Sequence, residues 1–346
     1  MSNILITGGN GVLGSSLSNA FISRGDKVTV TEITRERECW RLKELNILDK
    51  VRFIWKSSLD LEPADLRGTD IIIDTAIGFP DRPFCSNSPR TAMELNISPA
   101  LGLLEPARKM EERPLMIYPS SFNSLYGRAG IYDEFSKPNP ASVYGWTKSA
   151  VEQLFWTYSR SFGIPVVITR VGSGYGEMMR TDELVAKLVI SAIRQEEFVL
   201  RSPGSKRLWT YIGDVVNAYK RIADLFENGR NRELVSELNK DDKVLNIAGN
   251  LSDEIVTNTK LAEMIHEISG KGPQVVLSEE YEPGELIDNR PVDFSFDADW
   301  SRKVLNWKPE ISLSEGLRRT IQWFSTMYSE IAIPGRSVES GRTAIP

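Results

Sequence analysis

Cysteine and histidine are nearly missing from this chain. Cys39, Cys85 and His266 are the only such residues among 346. Two unclustered thiols cannot make a disulfide framework, and a single imidazole has no second one with which to share a zinc ion. The expectation is a reducing compartment and no resident metal. His266 reads as a half-buried helix residue, and Cys85, in "FCSNSP", as a bystander in a loop bordering a substrate site. Long apolar runs are absent too: none approaches the roughly 20 residues of a membrane span, and the opening "MSNILITGGNG" is not a basic-then-apolar leader. A cytoplasmic protein is expected. No block of basic residues stands out against a formal net charge of −5. Nucleic acid and anionic membrane are therefore poor candidates as partners, and a small molecule is the better one.

What is present is an ordinary globular composition, 41% hydrophobic and 26% charged, on a chain long enough for two packed domains or one large unit with an added lobe. There is no internal repeat. "NILIT" (3–7) is a short β-branched run, "GVLGSSLSNAFISRG" has helical spacing, and "KVTVTE" (27–32) is again a strand. Strands are expected at 51–55, 70–76, 114–120 and 165–171, with helices at 95–110 and 146–162. Continuous apolar strands alternating with helices predict an α/β fold with a doubly wound parallel sheet covered on both faces. Beyond 172 the pattern is less regular. Helices are expected at 183–195, 212–228, 257–272 and 314–328 and a strand at 243–249, consistent with a smaller mixed α/β lobe.

Thr7, Gly8, Gly11 and Gly14 spell T-G-x-x-G-x-x-G between the first strand and the first helix. Glycines there let backbone approach a pyrophosphate, and the helix N-terminus favours its charge. Glu32 closes the second strand, where an acid accepts hydrogen bonds from adenosine ribose hydroxyls and disfavours a 2′-phosphate. NAD is thus favoured over NADP, although Thr34, Arg35 and Arg37 follow closely and could host a phosphate.

Tyr144 and Lys148, in "SVYGWTKSAVEQL", are one helical turn apart and share a face. A phenol is a poor base at neutral pH, but a nearby ammonium and an oxidised nicotinamide both favour the phenolate. Such a tyrosine can take a hydroxyl proton while hydride leaves the same carbon. No other tyrosine has a lysine four residues later.

With "TGGNGVLG", "DIIIDTA", "ELNISPALGLLEPAR", "YPSS…LYG", "NPASVYGWTKSAVE", "VVITRVGSGYG", "RLWTYIGDVVNAY", "LNIAG" and "VLNWKPEISLSEGLRRTIQWF" in order, nearly the whole chain resembles the extended short-chain dehydrogenase/reductase family. The resemblance is strongest to its nucleotide-sugar epimerases and dehydratases. It implies a Rossmann-type NAD-binding domain at 1–172, to which 207–248 returns. A substrate lobe would comprise 173–206 and 249–332, followed by a tail at 333–346. It implies catalytic roles for Tyr144 and Lys148. The cofactor would be lined by Gly8, Asn10, Gly11, Val12, Leu13, Gly14, Glu32, Thr75, Ala76, Ile77, Asn96, Ser120 and Val171 as well as that pair. It also implies a homodimer through the helix at 95–110 and the Tyr144 helix, where Phe155, Trp156 and Tyr158 are packing or contact residues.

Departures from the family pattern narrow the reaction. The catalytic hydroxyl of the family stands four residues before the tyrosine of the Y-G pair, and counting back from Tyr126 gives Phe122. Either Ser121 supplies the hydroxyl after a one-residue shift, with Ser124 as a second candidate, or the usual donor is lacking. "FNS" (122–124) replaces the acidic pair of the 4,6-dehydratases, and Ser124 replaces the glutamate of the decarboxylases, so both reactions are disfavoured. Arg207 matches a diphosphate-binding arginine, while Ser173, Arg180 and Arg290 are further substrate candidates. Glu282, in "EPGE", stands where a second phosphate-binding arginine is expected. The reading is an NAD-dependent epimerase of a nucleotide sugar, working by transient hydride transfer. The alternatives are a dehydrogenase or reductase of another alcohol or ketone, and an NAD-binding regulator with impaired catalysis.

Overall fold

The computed structural model describes the chain apart from residues 36–37, 78–81, 126–129, 228–230, 250–254, 271–273, 279–293 and 332–346. Its centre is a seven-stranded sheet: β1 (Asn3–Thr7), β2 (Lys27–Thr31), β3 (Arg52–Ile54), β4 (Ile71–Asp74), β5 (Leu115–Ser121), β6 (Val166–Val171) and β7 (Leu245–Ile247). Every pairing is parallel, and the order across the sheet is β3-β2-β1-β4-β5-β6-β7. Runs such as Ile71–Ile73 are buried throughout because helices cover both faces.

The order reverses at β1. The chain moves outward one way from β1 to β2 and the other way from β4 to β5, so right-handed crossovers send the intervening helices to opposite faces. A crevice opens between them at the C-terminal ends of β1 and β4, whose last residues, Thr7 and Asp74, are paired. Helix α1 (Val12–Arg24) leaves that end of β1 and packs against α4 (Ile212–Glu227). Helix α2 (Pro89–Ala107) packs against α3 (Val143–Phe162). The Ser142 hydroxyl caps α3 by accepting from the Gly145 N–H at 3.0 Å, and Gly163 ends it in the left-handed region at φ +68. Those two signals fix where Tyr144 and Lys148 fall on the helix.

A second apolar cluster gathers Val185, Leu188, Trp209, Leu261, Leu317 and Phe324. Strand Lys206–Tyr211 runs through it, parallel to Ser173–Tyr175 and antiparallel to Ile255–Thr257. Val215, Tyr219 and Ile222 of α4 and Leu245 of β7 belong instead to the main core under the seven-stranded sheet. A third, small cluster joins Phe122 and Leu125 to Leu208, Ala248 and Phe296. No helix among the described residues is long and apolar enough to cross a membrane.

Candidate active site

The glycine turn is held by main chain. Gly8 and Gly9 donate to the Thr31 carbonyl at 3.0 and 3.2 Å, and Gly8 sits at φ +66. A Cβ on Gly14 would lie 2.3 Å from the Gly8 carbonyl oxygen, so α1 can approach the turn this closely only with glycine there. Thr7 Oγ1 donates to Asp74 at 2.7 Å and accepts from the Ala76 N–H at 3.0 Å, while the Thr75 hydroxyl donates to the Thr7 carbonyl. These bonds lock the ends of β1 and β4 together. The N-cap of helix α1 is Gly11, which offers no side-chain cap. Its first N–H groups therefore meet whatever lies on the turn. Val12 and Leu13, the first residues of α1, are half-buried, as are Thr75, Ala76 and Ile77 across the crevice.

Glu32 faces the same turn. Its buried carboxylate accepts from the N–H groups of Asn10 (2.9 Å), Ile33 (2.9 Å) and Thr34 (3.0 Å). Asn96 is buried between α2 and α3, with Nδ2 3.4 Å from the Thr147 hydroxyl and 3.8 Å from the Cys85 sulfur. Val171 pairs with Ser121 at the ends of β6 and β5.

Lys148 is buried. Its Nζ donates to the Pro119 carbonyl of β5 at 3.0 Å and lies 4.8 Å from the centre of the Tyr118 ring. Burial pushes its ammonium down to about 8, against the fields of Asp74 and Glu152, which favour the charge. Burial likewise pushes the Asp74 carboxyl up to about 6, opposed by the Thr7 hydroxyl and by Lys148. Burial pushes the Tyr118 phenol up, with the Asp74 carboxylate and then Tyr144, half-buried one turn before Lys148, adding to it.

The three serines separate. The Ser120 hydroxyl donates to Glu152 at 2.5 Å, and Glu152 forms a two-pronged pair with Arg170, whose Nε and Nη2 lie 3.0 and 2.7 Å from its carboxylate oxygens. Arg170 Nη1 donates in turn to the Ser136 carbonyl at 2.7 Å. Ser121 follows Ser120 on the same strand, so its side chain leaves on the opposite side, and it is half-buried. The side chain of Ser124 lies outside what is described, as do Tyr126, Glu282 and Arg290. Phe122 is buried, edge-on to Phe296 with ring centres 4.7 Å apart, and serves as a packing residue.

Beside the second apolar cluster, Arg207 is half-buried on strand Lys206–Tyr211, its guanidinium carbon 5.9 Å from the Trp209 ring centre. Ser173 pairs with Trp209 across the strands. Arg180 forms a two-pronged pair with Asp182. Among the described residues no group of three or more His, Cys, Asp or Glu could hold a metal ion.

A family model, described as the NAD dependent epimerase/dehydratase family, matches residues 4–266. The chain belongs to this family. Among curated relatives, the protein named uncharacterized UDP-glucose epimerase YtcB of Bacillus subtilis is 27% identical over 334 residues, covering 94% of this chain and 98% of that one. A trifunctional UDP-glucose 4,6-dehydratase/UDP-4-keto-6-deoxy-D-glucose 3,5-epimerase/UDP-4-keto-L-rhamnose-reductase of Arabidopsis thaliana is 26% identical over 337 residues, covering 93% of this chain and 47% of its own length. The chain thus spans about half the length of that plant relative. Among solved structures, UDP-glucuronic acid 4-epimerase of Bacillus cereus in complex with UDP-glucuronic acid and NAD aligns with a TM-score of 0.79 at 24% identity, over 94% of this chain and 100% of that one. UDP-glucose 4-epimerase of Thermotoga maritima with UDP-glucose aligns with a TM-score of 0.77 at 22% identity, over 94% and 99%. At such identities the likeness is one of fold.

The family's description names NAD, and the residues at the crevice described above fit a dinucleotide. The turn admits no Cβ at Gly14, α1 is uncapped, and an acid stands at the end of β2. Asp74, Glu152 and Arg170 were not singled out from sequence. For Glu152 a signal existed: it stands four residues beyond Lys148 and so continues the Tyr144–Lys148 face.

Proposed function

We propose that the chain is an NAD-dependent epimerase of a nucleotide sugar. The observation that carries this reading is the burial of Lys148 one helical turn from Tyr144, fixed on the Pro119 carbonyl at the end of β5 and within the field of Asp74 at the end of β4. The main chain of the glycine turn, with Val12 and Leu13 opening α1, holds the cofactor diphosphate, and Glu32 exchanges a main-chain partner for the ribose hydroxyls. Bound NAD supplies a reversible hydride acceptor. Tyr144 takes the proton of a sugar hydroxyl and returns it, while the Lys148 ammonium favours the phenolate over the phenol. Ser121 donates to the reacting oxygen, and Arg207, with Ser173 on the neighbouring strand, meets the substrate diphosphate, Arg180 being a further substrate candidate. The relatives named for UDP-sugar epimerases support this assignment.

The reading includes a homodimer through α2 and α3, on which Met93, Leu101, Trp146 and Phe162 are large apolar side chains exposed to solvent. The test is incubation of the purified protein with UDP-glucose, UDP-galactose, UDP-glucuronate and UDP-galacturonate, followed by proton NMR. Epimerisation at one carbon without net change in reduced-nicotinamide absorbance is the expected result, abolished by Tyr144→Phe. Stoichiometric formation or loss of reduced nicotinamide would assign a dehydrogenase or reductase instead. Full turnover by Tyr144→Phe would remove the mechanism.

A further inference from the structure

The chain between β2 and β3 forms a short helix, Trp40–Glu44, tied to the glycine turn at one residue. The Arg41 N–H donates to Asn10 Oδ1 at 3.2 Å and Arg41 Nη1 to the Asn10 carbonyl at 3.1 Å. The same guanidinium turns its Nε to the Met178 carbonyl at 2.8 Å. Met178 lies beyond strand Ser173–Tyr175 at φ +58, a conformation uncommon for a non-glycine residue. Beside it, the Trp40 ring stacks on Trp323 of helix Leu313–Ile331, with centres 6.3 Å apart and planes 29° apart, and lies 4.4 Å from the Arg41 guanidinium carbon. Two consecutive residues thus join the middle of the glycine turn to two separate elements of the second lobe.

The position is electrostatically unfavourable for an arginine. Burial and the neighbouring Arg180 push Arg41 down to about 10, with Glu32 opposing, so the group is still charged at neutral pH. A main-chain carbonyl pair would be served as well by a neutral donor; a half-buried cation on the glycine turn, beside an uncapped helix, suits an anion seated there.

We propose that Arg41 and Trp40 form a clasp between the two lobes that retains a dinucleotide on the glycine turn, Arg41 facing its diphosphate with positive charge and Trp40 holding the second lobe closed through Trp323. The clasp rests on the proposed function to the extent that a dinucleotide occupies the turn. Its consequence is kinetic: the cofactor leaves only when the Arg41–Met178 and Trp40–Trp323 contacts part. An enzyme that regenerates its own cofactor within each cycle gains from such retention, whereas one exchanging free NAD(H) would be slowed by it.

The test uses the full chain loaded with NAD. Bound cofactor is chased with excess NADH, and dissociation is followed by nicotinamide fluorescence in wild type, Arg41→Ala, Arg41→Lys, Trp40→Ala and Trp323→Ala, with unfolding midpoints measured beside it. Arg41→Ala should release NAD on the order of 10- to 100-fold faster, each tryptophan variant several-fold faster, and Arg41→Lys should recover part of the loss. If Arg41→Ala does not fold, Trp323→Ala, remote from the turn, carries the test with its several-fold expectation. Unchanged release from Arg41→Ala or, in its place, Trp323→Ala overturns the clasp alone. A wild-type protein that binds no dinucleotide overturns the clasp together with the function on which it rests.

Discussion

Lys148 Nζ donates to the carbonyl oxygen of Pro119 at 3.0 Å, and this bond pins a buried ammonium to the end of β5. Its folded-state value, about 8, lies below the 10.5 of an unconstrained lysine. Between those values the unfolded chain holds the proton and the folded chain does not, so stability contributed through this group rises with pH across that window. Below pH 8 the buried charge is held at full cost. Urea unfolding of wild type and Lys148→Met from pH 7 to 10.5 should show wild type gaining on the variant above pH 8, by on the order of 3 kcal/mol at the upper end. A difference that stays flat would show that Lys148 is not desolvated.

Glu152 and Arg170 form a buried charge pair beneath the site, with the Ser120 hydroxyl as a third member. Glu152→Gln leaves the Arg170 guanidinium buried without its counter-charge, a change that costs about 3–5 kcal/mol. Replacing both partners by neutral side chains should cost less than the two single changes summed. Denaturant unfolding of Glu152→Gln, Arg170→Met and the double variant measures this directly; additive losses would argue that the two side chains act independently.

The parallel half of the fold was legible in the sequence because its signals are local. Ile71–Ile73 and Val166–Ile168 are apolar without interruption, and the glycine turn marks where β1 becomes α1. The second lobe was harder. Strands Glu197–Arg201 and Gln274–Ser278 pair with each other across more than 70 residues, a partnership that no local pattern in either segment announces. Tyr144 and Lys148 could be paired from spacing alone, since a helix brings residues four apart onto one face. The Arg41 bridge could not: its partners, Asn10 and Met178, are 31 and 137 residues away, and nothing in "CWRLKEL" foretells them. The same holds for Phe122, whose role is set by Phe296 and not by its neighbours in the chain.

Gly14 tests the dinucleotide seat without touching a charged group. A methyl group there would sit 2.3 Å from the Gly8 carbonyl oxygen and 3.0 Å from the Thr75 hydroxyl, so either α1 or the turn must move. Gly14→Ala should weaken NAD binding by at least on the order of 10-fold and remove most of the rise in unfolding temperature that NAD gives the wild type. Gly25→Ala, at the C-cap of α1 with φ +96 and nothing within 4 Å of the added carbon, is the control: it strains the backbone without reaching the turn. Equal loss of NAD binding in both variants would mean that general weakening of α1, and not the seat, is responsible.

Ser120 and Ser121 end β5 and Phe122 follows them, in three different environments, and that separation predicts three different phenotypes. Ser120 gives its proton to buried Glu152, so Ser120→Ala should lower stability by about 1 kcal/mol and leave the chemical step nearly unchanged. Phe122 packs edge-on to Phe296 in a small apolar cluster, so Phe122→Ala should cost about 3 kcal/mol, and Phe122→Ser should not act as a gain of catalytic hydroxyl. Ser121, on the opposite side of the strand from Ser120, is the hydroxyl assigned to the reacting oxygen. Ser121→Ala should therefore lower kcat on the order of 100-fold with little effect on KM or unfolding temperature, because a donor to developing negative charge acts in the transition state more than in the ground state. Steady-state kinetics of the three alanine variants beside their unfolding curves decides the assignment. A Ser121→Ala enzyme with wild-type kcat would return the question to Ser124.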